Sequence, residues 1–399
     1  MNAQYAKISI ANRNCPICGN NKDNRILWQT REILPREIML PEEVTVVSCN
    51  NCGFCYSDTP ATMKQYDDYY ENSNIYGGRS QKNAMALEEE LLALTYTLFR
   101  RYDKILDMGS GGGDFLRKLK EVGYLNLCGM DVAKENVDIL NTFSIKADIA
   151  GAYTPVKDTY KAAFDGVFLN AVLEHLLFPK TAIHNMREYL KVNGRMVIVV
   201  PDMKLVGEGN SHPSHHFHHE HINYFSILSL DRLMQNEGFS RIYYKEIMEQ
   251  NDLEKLMVTV YEKSMKVKDE KIVDTVSALA IEDYLEEQKK RDYTIEQKLK
   301  KLNDESIILW GIGTRMMQTM AVNDIQGLNI VRCIDGNPAR WNSTISFCGK
   351  EYVIESPVDL EDKISDDLII VICCNSKQYE VEIKNTILQQ GLKNRIIFL

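Results

Sequence analysis

Long apolar stretches are missing from this 399-residue chain. The longest strand-like run, Leu368–Cys374, is far short of the roughly 18 residues that a membrane helix needs, so no membrane span is expected. Met1–Ile10 lacks the charged-then-apolar order of a secretory signal. An excess of basic charge is missing too. Lys and Arg number 47 against 56 Asp and Glu, a formal charge of −9, which argues against a nucleic-acid partner and leaves room for a local basic pocket. No internal repeat and no low-complexity linker interrupts the chain. With 44% hydrophobic and 26% charged residues it is an ordinary globular composition, long enough for two to four domains. A dense disulfide framework is absent as well. Of ten cysteines, four form two tight pairs and the rest lie among apolar residues, the cytoplasmic pattern of metal thiolates and buried free thiols.

Three changes of texture predict the domains. Residues 1–75 are rich in Cys, Asn and turn formers, with short strand candidates such as Thr45–Val47. Residues 76–264 alternate helix-period stretches with the β-branched runs Lys104–Met108, Asn126–Met130, Phe164–Leu169, Met196–Val200, Arg241–Lys245 and Lys255–Tyr261. Residues 265–303 are charged, and Glu282–Leu302 reads as a surface connector helix. Residues 304–399 form a second alternating unit with strands at Ser306–Trp310, Ile330–Ile334, Tyr352–Ile354, Leu368–Cys374 and Arg395–Phe398. Strands separated by helices predict an α/β protein with mostly parallel sheets.

Cys15-Pro-Ile-Cys18-Gly and Cys49-Asn-Asn-Cys52-Gly are two C-x-x-C-G knuckles. Two intervening residues let both sulfurs of a pair face one tetrahedral ion, and the following glycine permits the turn that aims amides at the thiolates. A closed structural Zn2+ site on Cys15, Cys18, Cys49 and Cys52 is expected, since four thiolates leave no open position for catalysis.

Ile105-Leu-Asp107-Met-Gly109-Ser-Gly111-Gly-Gly113-Asp ends an apolar strand and opens a helix. The next strand ends at Asp131, where an acid can accept both hydroxyls of a ribose. Asp148 follows, and then a strand ending in Asn170 before Leu173-Glu174-His175. A nicotinamide-binding fold competes for such a loop, and Glu174 with His175 also reads as a polar pair at a helix start. Over about residues 100–202 the set resembles the class I S-adenosylmethionine-dependent methyltransferases. The resemblance implies a seven-stranded Rossmann-like sheet. Asp107 and the glycines Gly109, Gly111 and Gly113 would meet the methionine part, Asp131 the ribose, Asp148 with Ile149 the adenine, and Asn170 with Glu174 the methyl donor.

Six of the eight histidines fall between His212 and His221. Imidazoles near neutral pH suit acid/base work. A second metal site and a solvated loop are the competing readings. With the knuckles, the Tyr-rich stretch Tyr66, Tyr69, Tyr70 and Tyr76, and the second glycine loop, the chain from about residue 13 to 399 is similar to the nucleotide-sugar 3-C-methyltransferases of deoxysugar biosynthesis. That family's Tyr-His-Glu-His stretch is matched by His219, Glu220 and His221, with His218 at the tyrosine position. The resemblance implies C-methylation of a nucleotide-linked keto-deoxysugar through an enolate. His221, or His219, would be the base. His218, His219 or a nearby Tyr would donate to the oxyanion, and Glu220 would orient an imidazole. Tyr70, Tyr76 and Tyr224 are candidate sugar contacts.

In Gly311-Ile-Gly313-Thr-Arg315 the third glycine of a dinucleotide fingerprint is replaced by Met316. Gly311, Gly313 and Arg315 read either as a diphosphate or base contact or as a structural turn of a Rossmann-like substrate-binding domain. Two other functions stay open: O- or N-methylation of a sugar or other small metabolite, and a non-catalytic zinc and nucleotide-sugar binding protein. The last predicts damage to the cofactor loop, and none is visible: Asp107, the three glycines and Asp131 are all in place. A cytoplasmic monomer is expected.

Overall fold

The computed structural model describes residues 7–72, 85–209, 211–248, 255–264, 271–323, 325–347, 349–358, 360, 364–374 and 377–399. They fall into two units. The first comprises Met1–Leu27, Val46–Gly209 and Glu220–Ile281, the second Trp28–Thr45, Asn210–His219 and Glu282–Leu399. No helix among the described residues is long and apolar enough to cross a membrane.

Strands β1 (Lys7–Ile10), β2 (Lys22–Arg31), β3 (Glu43–Ser48) and β4 (Cys55–Ser57) begin the chain. The strands β5 (Lys104–Met108), β6 (Asn126–Asp131), β7 (Lys146–Ile149), β8 (Phe164–Asn170), β9 (Leu190–Pro201), β10 (Asn223–Tyr224), β11 (Phe239–Met248) and β12 (Lys255–Lys263) follow. One five-stranded sheet has the order β1-β2-β3-β4-β10, so the knuckle sheet takes its last strand from the His-rich segment. There Asn223 pairs with Tyr56 and Tyr224 with Cys55, antiparallel.

The seven-stranded sheet has the order β11-β12-β9-β8-β5-β6-β7. Strands β7, β6, β5, β8 and β9 are parallel to one another, and β12 runs antiparallel to both β9 and β11. The central strands are apolar on both faces, as a sheet covered on both sides requires. Alternate residues divide between two cores. Leu106, Met108, Val167, Leu169, Ile198 and Val200 face one, and Ile105, Phe168, Val197 and Val199 face the other. Helix Asp114–Glu121 buries Leu116 and Leu119 in the second core, while helix Pro179–Tyr189 buries Ala182, Ile183 and Met186 in the first.

In the second unit, β13 (Ser306–Trp310), β14 (Asn329–Ile334), β15 (Thr344–Phe347), β16 (Lys350–Glu355), β17 (Ile369–Ile372) and β18 (Arg395–Phe398) form a sheet of order β15-β16-β14-β13-β17-β18. Every pairing is parallel except β15 with β16.

The charged stretch before β13 differs from its expected role as a surface connector. Helix Ser277–Lys300 buries Ile281, Tyr284, Leu285, Gln288, Ile295 and Leu299. Ile295, Leu299 and Leu302 belong to the core of the second unit. Their spacing of three to seven residues makes one apolar stripe, which the abundance of Glu and Lys between them hides.

Candidate functional site

The first glycine loop leaves the C-terminal end of β5, where the strand order reverses between β6 on one side and β8 on the other. Ligands of open α/β sheets bind at such switch points. Gly113 caps the following helix at φ 80°, and a Cβ there would lie 2.1 Å from Leu140 Cδ2, so only glycine closes this turn against its neighbour. At Gly111 and Gly112 a Cβ would meet nothing within 4 Å, leaving open space over the loop.

Asp131, at the end of β6, is 8% exposed. It accepts the Gly111 amide at 2.8 Å on one oxygen, and the Ala133 amide at 2.9 Å and Asn136 Nδ2 at 3.1 Å on the other. Three of its roughly four lone-pair positions are thereby used. Asp107 is 4% exposed, and its Oδ1 accepts no hydrogen bond among the described residues. Burial, with the nearby charge of Asp131, pushes the Asp107 carboxyl up to about 8. A buried acid with an unused acceptor beneath an open glycine loop fits a ligand that brings cationic or N–H groups, as S-adenosylmethionine does. Asp148 in β7 accepts the Tyr160 hydroxyl, with Lys157 Nζ 3.9 Å away, and Ile149 beside it is 55% exposed.

Beyond β8 the chain turns sharply. Ala171 is held at φ 53°, a left-handed conformation that costs an alanine about 1–2 kcal/mol. This turn leads from Asn170 into the short turn Leu173–His175. His175 Nδ1 lies 3.0 Å from the Glu220 carbonyl, an N–H donating to an oxygen. Its Nε2 therefore faces Glu174 Oε1 at 3.9 Å. The His221 ring is edge-on to His175 with centroids 4.9 Å apart. One donor atom from each of Glu174, His175 and His221 lies within 4.8 Å of the others. Tyr69 donates to the Glu220 carboxylate, and the Tyr70 ring lies 6.1 Å from His175. His221 and Glu220 thus join Glu174, whereas His175 and Tyr69 were not singled out as site residues by sequence.

His218 and His219 belong to the second unit. His219 is 6% exposed, and its Nδ1 lies 2.7 Å from Glu32 Oε2, which also accepts the His219 amide at 3.0 Å. Gln318 Nε2 donates to Glu32 Oε1 at 3.2 Å. Burial alone would raise the Glu32 carboxyl; attraction to His219 and His218 outweighs it and holds the group below its ordinary value. Nothing in the local sequence marked Glu32, which lies 187 positions from its partner. Ser211 Oγ lies 2.6 Å from His216 Nε2, and His212 caps the short helix Pro213–His216 by accepting the Ser214 amide. Burial lowers the affinity of His212 for its proton. The segment is therefore packed rather than solvated.

Tyr224 is buried in β10, and Tyr76 lies outside the described residues. In the second unit, the terminal nitrogens of Arg315 donate to the Cys374 and Leu399 carbonyls, at 3.1 Å for the latter. That is the work of a structural residue. A Cβ at Gly311 would lie 3.2 Å from Cys374 Sγ and Ile383 Cδ1, whereas one at Gly313 would meet nothing within 4 Å. The four knuckle thiols converge with all sulfurs within 4.8 Å of one another; Cys15–Cys52 and Cys18–Cys49 are each 3.5 Å apart. A tetrahedral zinc thiolate site has sulfurs roughly 3.8 Å apart, so the set fits that ion.

Residues 79–243 match the family model of a methyltransferase domain. No curated protein matches the sequence significantly. The 1,6-didemethyltoxoflavin-N1-methyltransferase of Burkholderia thailandensis, solved with 1,6-didemethyltoxoflavin and S-adenosylhomocysteine, is similar at 16% identity over 55% of this chain and 96% of its own, with a TM-score of 0.41. A SAM-dependent methyltransferase from Methanosarcina mazei shares 16% identity over 43% of this chain and 98% of its own, at a TM-score of 0.37. The PH0226 protein of Pyrococcus horikoshii shares 17% over 49% and 99%, at 0.38. Likenesses of this size assign no substrate. The family match makes residues 79–243 similar to a methyltransferase domain, and the seven-stranded order gives this part of the chain a mostly parallel α/β sheet.

Asp107 generates a pH dependence. Below about pH 8 its carboxyl holds a proton in the free protein, and a cationic ligand favours the carboxylate. Affinity for S-adenosylmethionine is expected to rise with pH, by at most about tenfold per unit, and to level off above that value. Calorimetric titration across pH checks this, and Asp107→Asn should flatten the profile.

Proposed function

We propose that the chain transfers a methyl group to C3 of a nucleotide-linked 4-keto-6-deoxy sugar, with His221 as general base, and that its four thiols hold a structural zinc ion. The observation that carries the reading is the His175–His221 pair beside Glu174, at the end of β8 and in the same unit as the glycine loop. Asp107, the loop glycines, Asp131 and Asn170 would hold the cofactor. Bound there, S-adenosylmethionine supplies an electrophilic methyl group on a sulfonium sulfur.

The chain's own task is to make carbon nucleophilic. A 4-ketone acidifies the neighbouring C3 proton, and His221 takes that proton onto a ring nitrogen. The electron pair moves into the C3–C4 bond and the ketone oxygen becomes an enolate. His175 in its protonated form, or the hydroxyl of Tyr70, would donate to that oxygen, an interaction worth roughly 3–4 kcal/mol in a dry site. Glu220, which accepts from Tyr69 through its carboxylate and from His175 through its carbonyl, fixes the orientation of both. Holding the two reactants in line accounts for as much as about 7–11 kcal/mol of barrier.

The parallel sheet of the second unit and its Gly311–Gly313 turn support a Rossmann-like domain that holds the sugar nucleotide. In that reading Gly313, rather than Arg315, is the point of approach.

His221→Asn should lower methyl transfer by about 100-fold or more while cofactor binding stays within about twofold, measured as label transfer and by calorimetry. Retained turnover would reassign the base. Metal analysis should find about one zinc per chain, and Cys49→Ser should lose it together with several kcal/mol of stability. A metal-free protein that melts normally would refute the zinc site.

A further inference from the structure

We propose that Arg13 is a positioning residue that sets the spacing of His175 and His221, and that the four-thiol knuckle acts on the chemistry through it. The proposal rests on the reading of His221 as base. Arg13 lies two residues before Cys15 and is only 6% exposed. Its Nη1 donates to the carbonyl of Ile222, the residue after His221, at 2.9 Å. Its Nη2 donates to the carbonyls of Leu176 at 3.2 Å and Leu177 at 2.6 Å, the two residues after His175. The same nitrogen reaches Asn223 Oδ1 at 2.9 Å. Asn223 then returns its amide hydrogens to the carbonyls of Leu176 at 2.7 Å, Leu173 at 3.0 Å and Glu174 at 3.4 Å. One guanidinium and one amide therefore tie the turn that carries His175 to the strand that follows His221.

The backbone of Arg13 is held in its turn by the segment that follows the second thiol pair. The Arg13 amide donates to Asp58 Oδ1 at 2.9 Å, and the Arg13 carbonyl accepts the Tyr56 hydroxyl at 3.2 Å. The Tyr56 ring also lies 5.7 Å from the guanidinium carbon. Tyr56 and Asp58 follow Cys52, and Arg13 precedes Cys15, so the thiol site fixes the base of the side chain from two directions. A planar fork with fixed donor directions can hold three backbone carbonyls from two segments at once. The single ammonium of a lysine, rotating on a flexible stem, cannot keep them in register. Burying such a charge among neutral carbonyls is costly, and a mere structural tie would be made as well by an uncharged amide.

The test is Arg13→Lys, which keeps the charge and loses the fork. Its kcat should fall about 10- to 100-fold with KM within about threefold, because misplacement by about 1 Å costs that much. The pH–rate profile should shift with it. In the substrate-free protein, the ring signals of His175 and His221, read by NMR on labelled histidine, should move while that of His184 stays in place. Unmoved His175 and His221 signals in a folded variant overturn the proposal whatever the activity. If the unaltered enzyme methylates no keto sugar, the proposed function fails, and the ring signals still decide the role of Arg13. Should Arg13→Lys not fold, Asn223→Asp is read in the same way, since it keeps the acceptor for Arg13 and loses the donors to Leu173, Glu174 and Leu176.

Discussion

The reversal of strand order at β5 is the constraint on which the candidate site depends. Because β6 lies on one side of β5 and β8 on the other, the chain must leave the sheet in opposite directions from neighbouring strand ends. The Gly109–Gly113 loop, Asp131 and the Asn170 turn are brought together by that geometry alone. Backbone amides, a buried acid and a strained turn then occupy one edge of the sheet. Asp107 follows from the same placement: a carboxyl at the end of the central strand has little water and a second acid close by, so it holds its proton well above the usual carboxylate range.

The histidines, by contrast, have several different tasks. His219 is locked by Nδ1 to the buried Glu32 carboxylate, and Gln318 completes that acid's hydrogen bonding. His216 meets Ser211, and His212 caps a short helix. His221 lies instead against His175, whose own Nδ1 is committed to a carbonyl. Adjacent residues of one segment therefore differ in chemistry because different partners reach them. Two imidazoles and the buried Glu174 thus lie within a few ångströms of one another.

Much of this was legible in the sequence where the chemistry is local. A thiol pair spaced by two residues, a glycine loop between strand and helix, and an acid ending the next strand are each confined to a few neighbouring positions. The parallel strands β5, β6, β8 and β9 announce themselves as apolar runs. The partners of these groups were not legible. Glu32 lies just beyond the end of β2, 187 residues from His219. Nothing in the local sequence marks Arg13, whose carbonyl partners lie 163 to 209 positions away. Arg315 reads from sequence either as a diphosphate or base contact or as part of a structural turn, and in the fold it donates to two carbonyls of its own unit. The apolar stripe of helix Ser277–Lys300 was masked by the charges between its members.

The proposed chemistry removes a proton from carbon before any methyl group moves. Its most direct test is hydrogen exchange at C3 of a nucleotide-linked 4-keto-6-deoxy sugar, followed by NMR in deuterated water with the enzyme and without methyl transfer. The account predicts deuterium entering at C3, and its entry depending on His221. An enzyme that transfers methyl groups to the sugar while its C3 hydrogen never exchanges would contradict it, and would point to oxygen as the acceptor.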